Sequence, residues 1–179
     1  MDTVAKARVA DFDIRGLFEA LDAQRLARGL SWQGVADAIW NQSTDLNARR
    51  RDHPISPATL QGMARPGNTS CQHALFVLRW LDRSPESFLA GEVNLTRTLP
   101  SAGPDRRLRW DLGRLYAALD RRRHEERLTW AELARELRCT PSQISGIRTA
   151  RFAIGMQLAM RIVGWLGRPA ADFIYAAEW

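Results

Sequence analysis

The feature that most constrains this chain is an internal repeat. Asp13, Leu17, Ala20, Leu21 and Asp22 recur, in order and spacing, as Asp111, Leu115, Ala118, Leu119 and Asp120. The match continues without a gap, with Leu30, Trp32 and Ala36 over Leu128, Trp130 and Ala134. A segment from Asn41 to Pro54 has no counterpart. The match then resumes with Pro57 and Gly62 over Pro141 and Gly146, Trp80 and Leu81 over Trp165 and Leu166, and Phe88 over Phe173. Such a chain is expected to fold as two similar units. The division expected is an N-terminal arm over 1–12, a first domain over 13–90 with an insertion at 41–54, a linker over 91–104, and a second domain over 105–179. Pro100, Gly103 and Pro104 make the linker read as a flexible connection.

Each copy reads as about five short helices. Ile14, Leu17, Phe18 and Leu21 form an i, i+3, i+4, i+7 stripe, as do Leu112, Leu115, Tyr116 and Leu119. Ser31 and Thr129 suit the N-cap of a second helix burying Val35 and Ile39, or Leu133 and Leu137. Ser56-Pro57 and Thr140-Pro141 place a cap before a proline at the first helical position of a third helix. That helix buries Leu60 and Met63, or Ile144 and Ile147. An apolar fourth helix and a short fifth carrying Phe88 or Phe173 complete each copy. No segment alternates like a strand, so the fold class expected is all-α.

Charge divides the copies. The chain carries a net +6, and of its 26 basic residues only Lys6 is lysine. Residues 13–90 hold nine Arg against eight Asp and Glu, while residues 105–179 hold fourteen against nine. Arginine suits phosphates and base edges because its planar fork donates two hydrogen bonds at once. An arginine-biased second half therefore points to nucleic acid as the partner of that half.

In the second copy, Thr129 to Arg148 resembles the helix-turn-helix of the lambda-repressor-like (Cro/C1, or XRE) family. Ala134 is the small residue at the helix contact, Ile144 and Ile147 are the buried anchors, Thr140 caps the recognition helix, and the intervening turn is short. Trp165, Leu166 and Gly167, with Asp172, Phe173 and Ile174, resemble the family's closing helices. The resemblance covers residues 111–176, and in the first copy residues 13–40 and 55–90. It implies two tandem five-helix helix-turn-helix domains and a sequence-specific duplex DNA-binding transcriptional regulator. Two departures stand out. Trp32 and Trp130 occupy a position where the family often has Gln, and packing is favoured for both. Arg138 and Trp40 occupy the turn position that usually holds Gly, so remodelled turns are expected there, most of all in the first copy.

The physical logic is that a helix crossing its neighbour steeply can lie in the major groove while that neighbour braces the backbone. With Ile144 and Ile147 inward, Ser142, Gln143, Ser145 and Arg148 face outward. Gln can read adenine with two hydrogen bonds, and Ser can bond a base or a phosphate. The DNA-contacting residues expected in the second copy are Thr140, Ser142, Gln143, Ser145, Arg148 and Arg151. In the first copy they are Thr59, Gln61, Arg65 and Asn68. For that copy, DNA contact and a structural or dimer-mimicking role weigh equally. Arg49, Arg50 and Arg51 in the insertion fit either an arm along the phosphate backbone or a solvated loop.

Enzymatic activity is not expected. His53, His73 and His124 are scattered, Cys71 and Cys139 lack metal-type spacing, and no phosphate-binding glycine loop follows a strand. No cofactor, metal or small-molecule effector is expected. No apolar run is long enough for a membrane span and no secretory signal is evident, so a cytoplasmic location is expected. Two functions remain open: a regulator that binds duplex DNA, as a monomer imitating a dimer or as a homodimer, and a protein-interaction module that binds a partner through domain 1.

Overall fold

The structure is a computed structural model describing residues 9–65, 67, 69–91, 96–149 and 154–179. It is mostly helical. The first unit comprises α1 (Ile14–Ala27), α2 (Trp32–Asn41), α3 (Thr44–Arg50), α4 (Pro57–Gly62), α5 (Cys71–Leu81) and a 3-10 turn at Pro85–Phe88. The second comprises β1 (Arg107–Trp110), α6 (Leu112–Glu125), α7 (Trp130–Glu136), α8 (Pro141–Thr149), α9 (Met156–Leu166), a 3-10 turn at Ala170–Phe173 and β2 (Ile174–Ala177). No helix among the described residues is long and apolar enough to cross a membrane.

Local chemistry sets the helix starts in matched pairs. Asp13 and Asp111 accept from the backbone N–H of Gly16 and Arg114, each at 2.8 Å. Ser31 caps α2 and Thr129 caps α7, the latter with Glu132 reaching back in a capping box. Arg25 bonds Asp22, the Leu30 carbonyl and the Trp32 ring face; Arg123 does the same with Asp120, Leu128 and Trp130. Trp32 stacks on Phe18 and Trp130 on Tyr116, with ring centroids 5.7 and 5.5 Å apart. Both indoles are thus engaged in packing. Gly29 and Arg127 share a left-handed turn after the first helix, and Asp82 and Gly167 share one after the fourth.

The all-α expectation holds in its coarse form, with one addition: among the described residues a small sheet pairs β1 and β2 antiparallel, with Trp110 opposite Ile174. Among the described residues, the equivalent place in the first unit holds an isolated bridge between Phe12 and Leu89. Four-residue strands are too short to show an alternation, and what fixes them is partner backbone more than 60 residues away. The fifth helix of each copy is a 3-10 turn. The insertion, for which no helix was expected, contains α3.

The two units meet across a reciprocal contact. Cys71 N–H donates to the Ile154 carbonyl at 2.8 Å, and Met156 N–H donates to the Thr69 carbonyl at 3.0 Å. In the repeat alignment Cys71 corresponds to Met156 and Thr69 to Ile154. Each unit therefore gives the other the same bond, the local signature of a two-fold axis. α5 packs on α9 at this axis. Both helices are consequently buried on nearly every side, including the unbroken run Ala74 to Leu78.

The insertion holds the linker to this assembly. α3 has no side-chain cap; instead the Pro104 carbonyl accepts from the N–H groups of Asp45 and Leu46. Ser43 Oγ donates to the Arg106 carbonyl at 2.6 Å. Arg107 is buried, and its guanidinium donates to Asn47 Oδ1 and Asp52. Asn47, fully buried, donates in turn to the Trp40 carbonyl. The end of the linker, at Ala102 and Pro104, and the first residues of the second unit, Arg106 and Arg107, are thus held along one side of the first unit.

Asn47→Ala strips Arg107 of its buried acceptor. A loss of about 2–3 kcal/mol in urea unfolding is expected; an unchanged midpoint would show that Asp52 alone satisfies the guanidinium. The Arg107 hydrogen bond holds the Asp52 carboxyl below the usual carboxylate range, against the opposing effect of burial. Stability from this pair is full above the ordinary aspartate pKa and is lost as pH falls through the lower folded value. An Asp52→Asn variant should therefore lose less Tm than the parent between neutral and acid pH, and equal slopes would contradict the linkage.

Candidate nucleic-acid interface

α7 and α8 pack on each other and are joined by four residues, Leu137 to Thr140. The turn is closed by Arg138, which takes a positive φ of 54°. The second unit thus keeps the tight turn with a non-glycine residue, at a cost of about 1–2 kcal/mol. In the first unit α2 runs on through Trp40, and α3 intervenes before α4. α4 still packs on α2.

α8 presents two faces. Ile144 and Ile147 are buried, whereas Thr140, Ser142, Gln143, Ser145 and Arg148 are exposed. The structure therefore brings five of the six expected residues of this unit onto one helix and its cap. Arg148 has no ion-pair partner among the described residues and presents a free cation. Arg151 lies outside the described residues.

Gln143 is already in use. Its Oε1 accepts from Thr140 N–H at 2.8 Å and from Thr140 Oγ1 at 3.2 Å, closing the start of α8 on itself. Reading adenine with both amide atoms would require the side chain to turn outward and give up this cap, at about 1 kcal/mol. Gln143 Nε2 is not committed in this way. Ser145 Oγ donates to the Ser142 carbonyl at 3.0 Å, along the helix.

The face of α4 is smaller. Gln61 and Arg65 are exposed, but Thr59 is half-buried and its hydroxyl is paired with Ser56 Oγ at 2.9 Å. Asn68 lies outside the described residues. Arg49, Arg50 and Arg51 are exposed at the end of α3. Arg49 reaches the Asp105 carbonyl at 3.5 Å and Arg50 pairs with Asp52 at 3.2 Å, which ties them to the linker side of the first unit.

Sequence reasoning missed a second pair of cations beside α8. Arg138 and Arg161 converge on Asp11, with nitrogens 2.8 and 3.1 Å from one carboxylate oxygen, and Gln157 Nε2 adds a bond at 2.7 Å. Burial raises the Asp11 pKa, but hydrogen bonds and charge from Arg161 and Arg138 outweigh it, so the carboxyl sits below its usual range. Arg138 also donates to the Val9 carbonyl at 2.8 Å. Residues 9–12, ahead of the first unit, thus lie across the turn of the second. Asp11 neutralises part of the charge that the second unit would otherwise offer. No local signal could have found it, because its partners stand 127 to 150 residues away.

Neither cysteine is poised as a nucleophile. Burial pushes the Cys71 thiol up to about 12, and Cys139 is raised by the same cause. No protein family, no curated protein and no solved structure matches this chain.

Proposed function

We propose that this protein is a sequence-specific duplex DNA-binding regulator built from two lambda-repressor-like helix-turn-helix units in tandem. The observation that carries this reading is the outward row Thr140, Ser142, Gln143, Ser145 and Arg148 on α8, set on two buried isoleucines and following a tight turn from α7. Its chemistry is what major-groove readout requires: an amide, three hydroxyls and an arginine on one accessible face. The arginine excess of the second half supports the same partner.

The reciprocal bonds between the units support a further element. Dimeric repressors place two recognition helices about 34 Å apart on one face of the duplex. Here one chain carries two helices, α4 and α8, on either side of a local two-fold axis. A single chain then acts as a pseudo-dimer whose half-sites are unequal, with α8 reading more bases than α4. The small face of α4 favours a second reading for the first unit alone, in which it keeps the scaffold and contacts a protein partner.

Binding to random duplex DNA at low salt should be measurable and should weaken steeply as salt rises, since phosphate neutralisation releases counterions. Negligible affinity at low salt would remove the regulator reading. Replacing Gln143 and Arg148 together by Ala should lower affinity for a selected site by about tenfold or more while the circular dichroism spectrum is unchanged. Full affinity in that variant would move the contact to the first unit or off both helices.

A further inference from the structure

Comparing the two units side by side exposes one polar atom with an acceptor in one unit and none in the other. In the second, Trp165 Nε1 donates to Glu136 Oε2 at 2.7 Å. In the first, Trp80 holds the equivalent place and is buried to a 5% exposure. Its Nε1 has no hydrogen-bond partner among the described residues. The position equivalent to Glu136 is Ala38. A buried indole N–H without an acceptor costs about 1–3 kcal/mol, so its retention calls for an occupant.

No acceptor among the described residues takes the glutamate's place. Ala38 and Trp80 line a cleft of about 740 Å³ between the first unit and the linker, whose far wall is Leu99 to Ala102. The cleft is cationic on balance, with Arg28 and Arg79 against Asp82. The Arg28 guanidinium lies over the Trp80 ring, 4.9 Å from its centroid. Arg79 donates to the Gln42 and Ala102 carbonyls and to Ser43 Oγ, with no carboxylate partner among the described residues. A donor, two cations and the apolar surfaces of Leu99, Pro100 and Leu108 define the chemistry of what fits there.

We propose that this cleft binds a small organic carboxylic acid. Its carboxylate accepts from Trp80 Nε1, in the role Glu136 plays for Trp165, and pairs with Arg28, while its apolar body lies against the linker wall. The bound acid bridges the first unit and the linker. The site does not depend on the DNA-binding reading and is tested without DNA.

The probe is benzoate, with benzamide as its uncharged counterpart, and the readout is the indole N–H resonance of Trp80 in ¹⁵N-labelled protein. That resonance is the one of the seven tryptophans lost in Trp80→Phe. Benzoate at millimolar concentration should shift it saturably, and benzamide should not. Ala38→Glu installs the missing carboxylate, so its Trp80 resonance should start displaced and respond at least about tenfold more weakly. Arg28→Gln, at an exposed position, should weaken benzoate about tenfold while leaving the other indole resonances in place. If the Trp80 resonance ignores benzoate, follows benzamide equally, or responds in Ala38→Glu as in the parent, the cleft holds ordered water only and the proposal fails.

Discussion

Two backbone hydrogen bonds, Cys71 to Ile154 and Met156 to Thr69, fix how everything else in this molecule is arranged. They join equivalent points of the two units, so each makes the other unavoidable. Around them α5 and α9 bury surface that a free unit would expose to water, at roughly 25 cal/mol for each Å² of apolar area removed. An isolated unit would carry an apolar helix with one face uncovered. The association is therefore part of the fold, and the outward faces of α4 and α8 inherit their mutual position from it.

Against this common frame the units have diverged in ways that matter more than their likeness. The first has α3, which holds Pro104 of the linker and Arg106 and Arg107 of the second unit. The second has put Arg138 at the turn, where its backbone strain is offset by side-chain bonds to Asp11 and Val9. The first has Ala38 where the second has Glu136, so Trp80 Nε1 lacks, among the described residues, the acceptor that Trp165 has. On the proposed reading, the second unit holds the larger part of the DNA contact and the first holds the parts that position it.

Much of the skeleton was legible in the sequence because it is local. The capping residues Ser31, Ser56 and Thr129 act within three positions of themselves, and the stripes of Leu17 and Leu21, or Ile144 and Ile147, follow helical periodicity. What was not legible is non-local. α3 contains one buried apolar residue, Leu46, and takes its cap from a carbonyl nearly 60 residues away, so no pattern announces it. β1 and β2 are defined only by each other. Of the candidate interface, the exposed row on α8 could be read from spacing. The engagement of Gln143 with Thr140 and the hold of Asp11 on Arg138 and Arg161 could not, because both depend on side-chain positions that spacing does not set.

On the proposed reading, one chain presents α4 and α8 to DNA as a pre-assembled pair. The most direct measurement is the mass of the complex on a duplex recovered by binding-site selection, determined by sedimentation at low salt. One chain per duplex is expected, over a site of two unequal halves, with weaker binding when either half is scrambled. Two chains per duplex, or a site with only one half, would contradict it.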